Sequence, residues 1–232
     1  MAIAAFAAGA LAATQLPVLA HTEASGGRLY VETDGFSGHL RTAEGTDIYG
    51  IGAAQRAGVV FHWHEWLMNG ELGHQRAGFS LTGGPETGFE PDVWEGEALL
   101  GYRLHWGEWT LAPGLGFRYW HWESHRPRAS EHHPLLDGDE TEQTLGPALQ
   151  AQLPLPYQCE LEAQARLYLG DSTGEVLELQ LARPIGHGLS PSLGYRVENW
   201  NSHEFSEQVH LLVGRLSYGW EPAPRNPSQA TN

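Results

Sequence analysis

The residues best placed for chemistry are two histidines, His62 and His64, in the run Phe61-His-Trp-His-Glu-Trp66. Side chains two apart on an extended segment leave by the same face, a spacing that metal sites on sheets use. With His74 and His105 on neighbouring segments they make a set of four imidazoles of the kind that holds zinc or copper. In a chain with 13 histidines the same four can equally be hydrogen-bonded residues of a wet interior. Glu95 and Glu97 form a second same-face pair. Paired carboxylates can share a proton and do acid/base work, but Arg103 and Arg118 lie close enough in sequence to neutralise them. Asn201-Ser202-His203-Glu204 puts a hydroxyl beside an imidazole, although adjacent residues rarely orient as nucleophile and base. No catalytic residue and no cofactor is therefore assigned.

All of these residues lie in or beside segments of period two. Across 93–105, Trp94, Gly96, Ala98, Leu100, Tyr102 and Leu104 share one face, while Glu95, Glu97, Arg103 and His105 share the other. Trp109, Leu111, Pro113, Leu115, Phe117 and Tyr119 oppose Thr110, Gly114, Gly116 and Arg118. Leu161, Ala163, Ala165, Leu167 and Leu169 oppose Glu160, Glu162, Gln164, Arg166 and Tyr168, and Leu177, Leu179 and Leu181 oppose Glu178 and Gln180. Runs of this kind predict strands over 28–40, 55–67, 71–82, 92–105, 108–122, 143–155, 159–170, 174–183, 188–200 and 207–220. Connections at one rim are short; at the other, 41–54, 83–91 and 123–142 are longer, with 171–173 and 201–206 as exceptions. Leu111-Ala-Pro-Gly-Leu-Gly-Phe-Arg118 is echoed by Leu189-Ser-Pro-Ser-Leu-Gly-Tyr-Arg196, which places both arginines on the polar face.

Composition narrows the classes. The chain has 232 residues, 41% of them hydrophobic and 10% aromatic, enough for one closed sheet. A formal charge of -15 excludes nucleic acid as a partner, because no basic patch exists to neutralise phosphates. All 13 basic residues are arginine, whose fork can bind a carboxylate with two hydrogen bonds. Cys159 stands alone, so no internal disulfide forms. Residues 1–20 carry no charge and end in Val18-Leu19-Ala20, which reads as an export signal, leaving 21–220 as the folded domain and 221–232 as a Pro-rich disordered tail. After residue 20 no apolar run is long enough for a membrane helix, so membrane insertion would use strands.

These features together make the chain similar to the small outer-membrane β-barrels of Gram-negative bacteria over residues 27–220, a likeness of architecture without a diagnostic motif. It implies an all-β fold, a closed antiparallel up-and-down transmembrane barrel of about ten strands, eight being the alternative count. Trp94, Tyr102, Trp106, Trp109 and Tyr119 are then interfacial aromatics. Glu95, Glu97, Arg103, Arg118, Glu160, Glu162, Arg166, Glu178, Arg196, Glu198 and Arg215 line the lumen as an ion-pair network, and losing Arg118 would leave a carboxylate unpaired. The expected function is a monomeric structural or minimal-pore protein, with outer-membrane lipid, lipopolysaccharide and the barrel-assembly machinery as partners. The alternatives are a barrel enzyme of the lipid A-modifying or omptin type, and a soluble periplasmic lipocalin-like binder with its apolar face turned inward. Between the second and third strands, parity favours a three-residue loop at Met68-Asn69-Gly70. That loop turns His62, His64, His74 and Arg76 into the lumen and keeps Arg76 out of hydrocarbon.

Overall fold

The alternating pattern closes into a ring of antiparallel strands. A computed structural model describes residues 26–42, 45, 47–81, 88–125, 138–201 and 205–220. The expected export signal at 1–20, the tail at 221–232 and the Ser202-His203 pair lie outside the described residues. The strands are β1 (Gly26–Thr42), β2 (Asp47–Trp63), β3 (Trp66–Leu81), β4 (Gly88–Tyr102), β5 (Leu104–Trp106), β6 (Trp109–His125), β7 (Gly138–Leu155), β8 (Cys159–Gly170), β9 (Thr173–Ala182), β10 (Leu189–Asn201) and β11 (Phe205–Trp220). β4 and β5 both pair with β6 and are two halves of one stave interrupted at Arg103, so the barrel has the ten staves expected. Pairing of β1 with β11, from Gly27 opposite Trp220 to Thr42 opposite Phe205, closes it.

Register fixes the shape. A path of directly paired residues leaves β1 at Gly26, crosses the other nine staves through His62, Leu67, Gly101, Gly114, Ala148, Arg166, Val176, Glu198 and Val209, and returns to β1 at Gly38. That stagger of twelve residues requires the strands to tilt by roughly 40° from the barrel axis.

One rim is drawn tight by short turns. Two of its hairpins are alike: Trp63 pairs with Trp66 around His64-Glu65, and Trp106 pairs with Trp109 around Gly107-Glu108. Each loop has two residues, and each first residue has a positive φ, 55° at His64 and 60° at Gly107. Glycine takes that conformation freely; histidine takes it under strain.

The His64-Glu65 turn corrects the expectation of a loop at Met68-Asn69-Gly70, which lies within β3. The shift reverses the faces of β3. Leu67, Asn69, Glu71, Gly73 and Gln75 turn inward, while Trp66, Met68, Leu72, His74 and Arg76 turn outward. Arg76 does not meet hydrocarbon, because it stands ten residues up β3 near the other rim, 3.3 Å from Asp92. The expected long connection over 41–54 is also mostly sheet, with β2 beginning at Asp47. Gly50, Gly52, Ala53 and Ala54 carry too little side chain to show alternation, yet they pair with β1 in register.

The outward face is apolar. Leu29, Val31, Leu115, Leu179, Leu193 and Leu212 are all exposed large side chains, and Trp63, Trp66, Trp106, Trp109, Tyr218 and Trp220 ring the short-turn rim. Charge is turned inward: Glu32, Asp34, Arg56, Arg118, Glu178 and Arg196 are buried. This is the reverse of a soluble lipocalin-like barrel, which hides its apolar face and wets its polar one.

Candidate functional site

The lumen is where chemistry-bearing side chains converge. Inward positions on neighbouring staves carry opposite charges, and the barrel is too narrow for them to remain apart. Arg196, less than 2% exposed, bonds Glu178 at 2.7 Å and Glu32 at 2.8 Å. Arg215 bonds Glu32 at 2.8 Å and Glu178 at 3.1 Å. Arg118 bonds Glu95 at 2.6 Å and Glu198 at 2.9 Å, while Arg166 meets Glu97 at 2.5 Å. Arg56 joins Glu32, Asp34, Glu71 and Glu95. Arg28 holds Glu162, which also faces Arg215 at 3.7 Å. Each pair shares a partner with another, so six arginines and eight carboxylates form one connected cluster.

Aromatic rings brace it. The guanidinium of Arg118 lies 4.5 Å from the Trp200 ring centre, and that of Arg215 lies 4.5 Å from the Tyr30 ring centre. The Tyr30 hydroxyl donates to Glu71 at 2.5 Å. Gly174 sits opposite Trp200, where any Cβ would overlap the indole, so glycine lets that ring lie against the wall.

Of the residues singled out from sequence, Glu95, Glu97, Arg118, Glu162, Arg166, Glu178, Arg196, Glu198 and Arg215 meet in this cluster. Glu160 stands at the short-turn end, two residues from Glu162 and outside the cluster. Arg103 instead fastens the strand break to the first hairpin. Its side chain donates to the His64 carbonyl at 2.6 Å, and its backbone N–H donates to that of Glu65 at 2.6 Å. Sequence reasoning missed Arg28, Glu32, Asp34, Arg56 and Glu71. The signal for four of them was parity within β1 and β2, where Arg28, Glu32 and Asp34 share a face and Glu32 pairs with Arg56.

The expected metal set of His62, His64, His74 and His105 is not assembled. His62 is on the lumen face, His64 occupies the turn, His74 faces outward against Trp94 with ring centres 4.4 Å apart, and His105 is exposed beside Glu65 at 3.7 Å. The two-residue hairpin causes this, because it puts His62 and His74 on opposite faces of the sheet. Among the described residues no group of three or more His, Cys, Asp or Glu is placed to hold a metal ion.

Toward the short-turn rim, beside the Arg28–Glu162 pair, the lumen holds an apolar cluster of Tyr30, Val60, Leu67, Leu99, Ala112 and Ala148. Above the ionic layer, toward the other rim, Trp200 stacks on Tyr168 at 5.6 Å and lies 6.4 Å from Trp120.

A closed antiparallel ring, apolar outside and charged within, is the architecture of the outer-membrane class of β-barrels. Solved structures agree. The chain is similar to the outer membrane protease OmpT from Escherichia coli, with 8% identity over 89% of this chain and 100% of that one, and a TM-score of 0.55. Weaker likenesses are the translocator domain of the autotransporter NalP from Neisseria meningitidis, 13% identical over 95% and 97% of the two chains with a TM-score of 0.45, and OprG from Pseudomonas aeruginosa, 11% identical over 87% and 98% with a TM-score of 0.45. At 8% identity the likeness to OmpT is one of fold alone. No family model and no curated protein matches the sequence.

Proposed function

We propose that this chain is a structural outer-membrane protein, an exported monomer whose barrel is a closed anchor for its longer connections and conducts minimally or not at all. The observation that carries the reading is the double filling of the lumen. A connected Arg–carboxylate layer spans the middle, and the short-turn half holds an apolar cluster beside the Arg28–Glu162 pair and the buried Gln150 and Gln180. An ion entering such a lumen would have to displace guanidinium–carboxylate bonds in a water-poor interior, where broken pairs are costly. In this orientation the short turns face the periplasm, and the membrane lipid and lipopolysaccharide contact the outer wall.

Purified protein reconstituted in planar lipid bilayers tests the proposal. The expected result is no steady conductance above the lipid background, with channel events appearing only when Arg196 and Arg118 are both replaced by alanine. Stable, ohmic conductance of the unmodified protein would overturn the closed-anchor reading.

A further inference from the structure

The mouth of the lumen opposite the short turns differs from the layer beneath it. In the ionic layer every carboxylate has an arginine partner. Glu142 on β7 and Glu207 on β11 also stand on the inward face, but no ion pair joins either of them among the described residues. Glu142 accepts a hydrogen bond from Trp120 Nε1 at 3.0 Å, and Glu207 lies opposite Trp200 in the β10–β11 register. The two carboxylates therefore flank a continuous aromatic floor of Trp120, Trp200 and Tyr168.

A second, independent feature points the same way. Thr144 is 2% exposed and Ser172 is 3% exposed, and neither hydroxyl has a hydrogen-bond partner among the described residues. Thr144 is the next inward residue below Glu142 on β7, while Ser172, in the tight turn between β8 and β9, points inward between exposed neighbours. Buried hydroxyls are ordinarily satisfied, so two at one mouth mark a place prepared for a polar guest. Two carboxylates that join no ion pair among the described residues set the sign of that guest, and aromatic faces beside carboxylates favour a soft organic cation over a strongly hydrated one.

We propose that this mouth binds a small organic ammonium ion carrying a hydroxyl, its cationic head between Glu142 and Glu207 over the aromatic floor and its hydroxyl toward Thr144 and Ser172. The carboxylates supply charge recognition and the indoles exclude water. An anionic head group on the same ligand would be repelled by both carboxylates, which separates a free amino alcohol from a phosphorylated one.

Choline is the probe, titrated calorimetrically into the full chain in detergent. Its neutral isostere 3,3-dimethyl-1-butanol, phosphocholine and calcium chloride are the comparison arms. Saturable binding of one choline per chain is expected, weakened at least tenfold by either Glu207→Gln or Glu142→Gln, with no saturable signal from the neutral alcohol and weaker binding of phosphocholine. Glu207 joins no ion pair among the described residues, and unchanged gel migration of the unheated variant establishes that its barrel is intact. Equal binding of choline and the neutral alcohol, choline affinity unchanged in Glu207→Gln, or stoichiometric calcium binding without choline binding would each overturn the proposal.

Discussion

Two parts of one lumen are filled by opposite means. In the middle, arginine and carboxylate side chains meet in a connected layer; toward the short-turn rim, Tyr30, Val60, Leu67, Leu99, Ala112 and Ala148 pack as a soluble protein's core does. Both belong to the inward face of the same staves, so facing inward does not dictate polarity. What differs is how each tolerates loss. A charge in a dry interior is stable only while its partners stay in place, and removing one leaves the others uncompensated. An apolar cluster loses only the transfer energy and the cavity of the atoms removed.

The largest effect therefore belongs to the ionic layer. Arg196 bonds both Glu178 and Glu32 and lies within 4.0 Å of Asp34. Arg196→Ala should cost about 3–5 kcal/mol, the range for breaking a buried pair from one side. Urea unfolding from phospholipid vesicles measures it. A loss under 1 kcal/mol would mean that water reaches the layer and screens it.

The apolar half should respond less and in proportion to volume. Leu67 is 2% exposed within that cluster, and Leu67→Ala should cost about 2–4 kcal/mol through a cavity. Leu72, on the outward face of the same strand, is 74% exposed. Lipid can fill the space it leaves, so the same truncation there should cost less than half as much in the same assay. Equal losses at the two positions would remove the distinction between a packed interior and a lipid-facing wall.

Most of this contrast was legible in sequence wherever large apolar and charged residues alternate. β6, β8, β9 and the lower part of β10 show their faces directly, since Leu115 against Arg118 or Leu179 against Glu178 leaves one arrangement that keeps charge out of lipid. β1 and β2 were harder, because Thr33, Gly35, Ser37, Ala53 and Gln55 place small or polar groups outward and blur the period. The histidine set failed for a different reason. Asn69-Gly70 is the strongest local turn signal in its region, and it lies inside a strand because Trp63 pairs with Trp66 and Glu71 reaches Arg56. Tertiary pairing overrode a dipeptide preference. The face of Arg76 alone favours the lumen; its distance along β3 from the turn is what keeps it clear of hydrocarbon on the outward side.

The smallest effect tests that parity most directly. Arg76 is 70% exposed and meets Asp92 at 3.3 Å on the outward face, beside the His74 and Trp94 rings, which lie in contact at 4.4 Å. An exposed pair of this kind is screened by solvent and salt, so Arg76→Ala should change stability by only about 0–1 kcal/mol, and less at high salt. Were Arg76 inside the lumen, as a three-residue loop at Met68-Asn69-Gly70 would place it, the same substitution would strip an arginine from the buried layer and cost several times more. Neighbouring residues give the complementary readout, because adjacent positions on a strand face opposite sides. Cysteine introduced at Arg76 should react with a water-soluble maleimide on the folded barrel, whereas cysteine at Gln75 should be labelled slowly. The opposite order of labelling would restore the three-residue loop, move Glu71 out of the lumen, and take from Arg56 one of the four carboxylates that hold it.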